Sequence, residues 1–140
     1  MPADTPTISI TYRSDLNLLI ARWLRDVSQS ELQQGYTQVL QVAIEHQVSG
    51  WLVDSRRRSQ SSAEMVEWLA QEYLPELSPA LNDRPVYLAC LVAATWQPGT
   101  APATPLAVLA QSSALAAQKG YKVQLFSDEG AATNWLQEGK

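Results

Sequence analysis

Apolar and polar positions follow two different periods along this chain. Thr7-Ile8-Ser9-Ile10-Thr11-Tyr12 alternates with period two and is rich in β-branched residues, which predicts a strand. Arg13-Ser14-Asp15 reads as a turn and Asn17 to Leu24 as a returning strand, so a hairpin opens the fold. The second arm places Leu18, Ile20 and Arg22 on one face and Leu19, Ala21 and Trp23 on the other. The period then lengthens. Ser28-Gln29-Ser30-Glu31 has the spacing of a capping box, and behind it Leu32, Tyr36, Val39, Leu40, Ala43 and Ile44 recur as one face of a helix that ends near His46-Gln47.

A third strand is predicted from Trp51 to Asp54, followed by a second helix. That helix carries Val66, Leu69, Ala70 and Tyr73 in one stripe, with Met65 and Trp68 widening it sideways, until Pro75 and Pro79 break the pattern. Pro85 to Ala93 is almost continuously apolar, as expected of a strand buried on both faces. Thr95 to Pro105, with three prolines and a glycine, reads as a long loop around Trp96. A helix from Leu106 to Lys119 closed by Gly120, a strand from Tyr121 to Phe126, and a last helix capped by Ser127-Asp128-Glu129 complete the chain. The expected architecture is α/β, in the order ββαβαβαβα: a mixed, mostly parallel sheet with an N-terminal β-hairpin and about four helices. Residues 1–140 are read as a single domain, with 1–6 expected to be flexible.

The abrupt end of the third strand is the most informative local feature. Gly50-Trp51-Leu52-Val53 gives way to Asp54, Ser55 and three arginines, Arg56, Arg57 and Arg58. The carboxyl ends of strands are where open α/β sheets place their sites. A guanidinium there can hold a phosphate or carboxylate through two hydrogen bonds. A solvated turn, with Asp54 bonding local amides and the arginines pairing with surface carboxylates, accounts for the same residues. The wide arc of Met65, Trp68, Leu69 and Tyr73, together with Trp96, is a second candidate, as an apolar pocket or interface; ordinary core packing is the alternative.

Composition narrows the chemistry. The formal charge of -4 argues against a general nucleic-acid binder, and the arginine triplet is the one basic cluster. With one histidine, one cysteine, and no phosphate-binding or nucleophile motif, zinc or nucleophilic catalysis has little material, so no catalytic residue, metal or cofactor is assigned. His46 at a helix end and Cys90 inside an apolar run read as structural. The pairs Glu64/Glu67 and Asp128/Glu129 sit at helix starts, where the helix dipole explains them. No apolar run approaches the roughly 20 residues of a membrane span, and Met1 to Pro6 lacks a signal core, so a soluble cytoplasmic protein is expected.

The element order, with three local patterns, resembles the STAS-like superfamily, which includes sporulation anti-sigma-factor antagonists and the cytosolic domains of sulfate transporters. The patterns are Leu52-Val53-Asp54 before a polar loop and helix, Val86 to Val92 before a long loop, and the ending Val123-Gln124-Leu125-Phe126-Ser127-Asp128-Glu129-Gly130-Ala131-Ala132 with Trp135-Leu136. The chain looks closest to the single-domain bacterial branch described as lipid-transfer-like. The resemblance implies a non-enzymatic switch or binding domain. In anti-sigma-factor antagonists the strand ends Asp-Ser-Ser-Gly, and a serine after the aspartate is phosphorylated. Asp54-Ser55 matches that start, but Arg56 stands in place of the second serine, and the following Gly-Leu-Gly is missing. Phosphorylation of Ser55 would add about -1.5 to -2 charge, which the arginines can pair.

Three functions are therefore expected in order. The first is regulatory docking of a protein partner or a second copy through the edge around Ser55 and the second helix. The others are carriage of an anionic, lipid-like small molecule and a phosphorylation-controlled switch at Ser55.

Overall fold

The computed structural model describes residues 7–57, 63–82, 85–92 and 121–138. Five strands among these form one mixed sheet in the spatial order β1-β2-β3-β4-β5: β1 (Ile8–Arg13), β2 (Leu18–Trp23), β3 (Gly50–Asp54), β4 (Val86–Leu91) and β5 (Tyr121–Phe126). β1 and β2 are antiparallel, whereas β2 to β5 run parallel. Each of these strands lies beside its neighbour in sequence, with helical crossovers joining β2 to β3 and β3 to β4. The α/β class, the hairpin and the mixed sheet are as the sequence implies. The expected loop at 95–105 with Trp96, the helix at 106–119, residues 1–6 and Arg58 lie outside the described residues.

The hairpin turn corrects one boundary. Asn17 was expected inside β2, but it sits in the turn at φ 52, and β2 starts at Leu18. Asparagine tolerates the left-handed region better than most residues, so the tight connection falls there.

α1 (Gln29–His46) begins with the expected capping box: the Ser28 hydroxyl accepts from the Glu31 amide, and the Glu31 carboxylate accepts from the Ser28 amide. Arg25 also grips Glu31, and together these bonds hold its carboxyl down at about 2. α1 ends on Gln47 in the left-handed conformation, and the His46 ring stacks on Tyr12 with centroids 4.1 Å apart.

The second helical segment departs from a simple helix. α2 (Ala63–Trp68) passes into a π-helical turn (Leu69–Tyr73), a 3-10 turn (Leu74–Glu76) and a last short helix, α3 (Leu77–Ala80). Pro75 and Pro79 break the regular pattern as expected, yet the chain stays in helical turns, with Pro75 in the 3-10 turn and Pro79 in α3. Pro79 falls in the first turn of α3, where a missing N–H costs nothing. The π turn closes its hydrogen bonds over one extra residue, which slows the rotation of side chains around the axis. Met65, Leu69 and Tyr73, spaced by four, consequently all reach the interior.

Two apolar clusters flank the sheet. On one face Leu19, Ala21, Trp23, Trp51, Val53, Leu88 and Cys90 pack with Leu32, Tyr36 and Val39 of α1 and with Met65, Leu69 and Tyr73. On the other face Leu18, Ile20, Leu52, Ala89 and Leu91 meet Ala132 and Leu136 of α4 (Glu129–Glu138). The predicted alternation in β2 is thus the division between the two cores.

Gly35 in α1 lies against the Trp23 indole, and a Cβ there would stand 2.6 Å from Trp23 Cη2. Alanine in place of a helix-interior glycine normally gains about 1 kcal/mol. Here overpacking of about 1–3 kcal/mol opposes that gain. Gly35→Ala is expected to destabilise the protein, and to become neutral or stabilising in a Trp23→Phe background, where the offending ring atoms are gone. Paired chemical denaturation curves check this double-mutant cycle; a stabilised Gly35→Ala in the wild-type background contradicts it.

Candidate functional site at the strand ends

The parallel strands finish at one level. Arg22 pairs in register with Asp54, Asp54 with Leu91, and Leu91 with Phe126. By period-two alternation these residues share the face that carries Leu18, Ile20 and Leu52, under the start of α4. That placement brings together charges that lie far apart in sequence. Arg22 Nη1 donates to Asp54 Oδ2 at 2.7 Å, and its two terminal nitrogens donate to the Glu129 carboxylate at 3.0 and 3.1 Å. Arg56 takes Asp54 from the other side, through Nε at 2.9 Å, Nη2 at 2.7 Å and its backbone amide at 3.1 Å. Arg56 Nη2 also approaches Glu129 Oε1 at 3.6 Å.

Asp54 is thus the acceptor for two guanidinium groups. Burial pushes its carboxyl pKa up, but the bonds from Arg56 and Arg22 outweigh burial and leave it below the ordinary carboxylate range. The Arg22 fork likewise holds Glu129 down. The Glu129 and Asp54 carboxylates in turn raise Arg22 and Arg56. All four groups are held in their charged forms.

Ser55 turns away from this cluster. Its amide donates to Leu91 O at 2.9 Å, and it is only 2% exposed. Its hydroxyl is enclosed and has no hydrogen-bond partner among the described residues. A modifying enzyme would reach Ser55 only after the strand end opened. Arg57 is exposed and makes no ion pair among the described residues.

Beyond the strand ends lies a cleft of about 320 Å³, lined by Arg22, Trp23, Leu24, Asp54, Arg56 and Arg57. A second hollow, of about 340 Å³, runs between Gln29 and the outer side of α2 and the π turn, where Glu64, Glu67 and Glu72 surround Trp68. Trp68 is half-buried and stacks on Tyr73 at 5.3 Å. Of the apolar residues singled out in the sequence, Met65, Leu69 and Tyr73 are core, Trp68 is the one reaching the surface, and Trp96 lies outside the described residues.

Sequence reasoning missed two members of the charged cluster. Arg22 was legible as a charge on an otherwise apolar strand face. Glu129 looked like an ordinary helix-start acid, and only the fold brings it to Arg22. Among the described residues no group of three or more His, Cys, Asp or Glu is placed to hold a metal ion, and no helix is long and apolar enough to cross a membrane. No protein-family model, curated protein or solved structure matches the chain.

Proposed function

We propose that this chain is a non-catalytic binding domain of STAS-like arrangement, which docks an acidic protein partner through the strand ends around Asp54, Ser55, Arg56 and Arg57. The observation that supports this reading most directly is the self-paired cluster of Arg22, Asp54, Arg56 and Glu129. A general acid or base works best with a pKa near the working pH. These carboxyls are held low and these guanidiniums high, which suits a rigid, permanently charged platform. Arg57 projects from that platform as a cation for a partner carboxylate.

Site-specific photo-crosslinking in the producing cell tests the reading. A crosslinker at Leu24, which lines the same cleft as Arg57, should give a defined adduct that one at Ser14, in the hairpin turn at the other end of the sheet, does not. The captured protein, once purified, should bind the wild-type chain and lose roughly tenfold in affinity, about 1.4 kcal/mol, on Arg57→Glu. Identical adducts at both positions, or binding indifferent to Arg57→Glu, would overturn it.

A second reading, carriage of a small anion, draws on the 320 Å³ cleft, which falls at the small end of the size range of ligand pockets. Native mass spectrometry of the purified chain separates the two, because a carrier retains a bound small molecule. A phosphorylation switch at Ser55 is the third reading, and its first requirement is exposure of the enclosed hydroxyl.

A further inference from the structure

We propose that the chain also self-associates through β1, whose outer edge pairs antiparallel with the same strand of a second copy about a two-fold axis beside Ile10. β1 is terminal in the sheet order, and no described strand pairs with its outer side. The direction of its backbone groups follows from the hairpin. Thr7 O accepts from Leu24 N at 3.0 Å, so Thr7 and Leu24 form a hydrogen-bonded pair. Such pairs alternate along an antiparallel ladder. In the observed register Ser9, Thr11 and Arg13 therefore also turn their N–H and C=O groups towards β2. Those of Ile8, Ile10 and Tyr12 point outwards, away from the sheet.

This edge is complementary to itself. A two-fold axis normal to the sheet keeps each face continuous, so it pairs residues of equal parity. Centred on Ile10, it sets Ile8 of one copy opposite Tyr12 of the other and Ile10 opposite Ile10. These are the residues whose outward donors and acceptors meet no described strand, and each such pair exchanges two hydrogen bonds. Their half-buried side chains lie on the face already packed on the core, so the apolar layer runs on across the axis. On the exposed face Ser9 meets Thr11, while Arg13, already paired with Asp15 at 2.7 Å, lies opposite Thr7. The two copies of Arg13 fall at opposite ends of the ladder.

Exposed edges are usually guarded by proline, lysine, an inward charge or a bulge. β1 contains no proline and one charge, Arg13 at its end and already paired with Asp15, and it pairs with β2 without a bulge. A foreign strand would have to supply the same apolar alternation, which a second copy supplies by symmetry. The edge meets the strand-end cluster at one point, where Ser9 pairs in register with Arg22; both variants below carry the same Ser9→Lys, so any effect on Arg22 is common to them.

Light scattering on the full chain tests the proposal, using two double variants confined to the exposed face. The wild-type molar mass should rise with concentration from the 15.4 kDa of one chain towards twice that value. Ser9→Lys/Thr11→Lys places like charges opposite each other across the axis and should stay at one-chain mass with unchanged circular dichroism. Ser9→Lys/Thr11→Glu places opposite charges there and should regain the doubled mass. A wild-type chain that is monomeric up to its solubility limit overturns the proposal. So does a dimer that ignores the first variant, or one that the second variant also abolishes.

Discussion

Leu69→Ala will lower the unfolding free energy by about 2–5 kcal/mol, the range for a leucine emptied from a packed interior. Leu69 is fully enclosed and belongs to the same cluster as Trp51, Tyr36 and Tyr73. The spread within that range depends on how far the neighbours collapse into the space. The aromatic side chains there contact one another at fixed angles, with Tyr36 and Tyr73 centroids 5.0 Å apart, and the Tyr73 hydroxyl is tied to Tyr36 O at 2.7 Å. Such a lattice collapses poorly, which favours the upper half. Gln71→Ala, two residues away on the exposed side, should stay within about 0.5 kcal/mol. Denaturant midpoints at unchanged slope provide the comparison. Should Leu69→Ala cost no more than Gln71→Ala, the apolar arc of the second helical segment is not core.

Asp54→Asn will cost about 2 kcal/mol at neutral pH, less than the 3–5 kcal/mol of a fully buried broken pair. The carboxylate is almost fully enclosed, with 9% of its side chain exposed, whereas Arg22 and Arg56 remain 34% and 42% exposed. Water takes up part of what the two guanidiniums lose, which sets the discount. The asparagine amide also turns a donor towards one of them. The sign with pH follows from the lowered carboxyl. A depressed folded-state pKa contributes stability that is complete above the unfolded value, about 3.9, and is lost as pH falls below it. The gap between wild type and Asp54→Asn should therefore be full at pH 7 and shrink below about pH 4. Glu129, also held low, adds an acid sensitivity of the same sign that both proteins share. Denaturation at neutral and acidic pH decides; a gap that persists undiminished in acid contradicts the assignment.

What was legible in the sequence is what local physics determines. The Ser28/Glu31 box, the period-two faces of β2 and the bounds of β5 depend on neighbours a few residues away, and all three stand in the structure. Asn17 was misplaced because a turn and a strand start compete for the same residue, and the left-handed tolerance of asparagine decided it. The π turn was invisible because a spacing of four fits an α-helix almost as well. At the strand ends, the pairing of Arg56 with Asp54 spans two residues and matches the expected local turn. The Arg22 to Glu129 bond spans 107 residues, and no pattern along the chain announces it.

The two-sided burial of the sheet also sets an order in time. Chains emerge from synthesis N-terminus first, and the first three strands with α1 and the second helical segment carry most of one core, to which β4 and β5 add Val86, Leu88, Cys90, Tyr121 and Val123. The opposite face cannot follow at once. Leu18 and Ile20 emerge early, yet their described cover, Ala132 and Leu136, comes from the last described helix. A growing chain therefore completes its fifth strand before the described cover of this apolar strip has been made. The Arg22 to Glu129 clasp forms only when α4 arrives, so the step that hides this strip also completes the charged cluster at the strand ends.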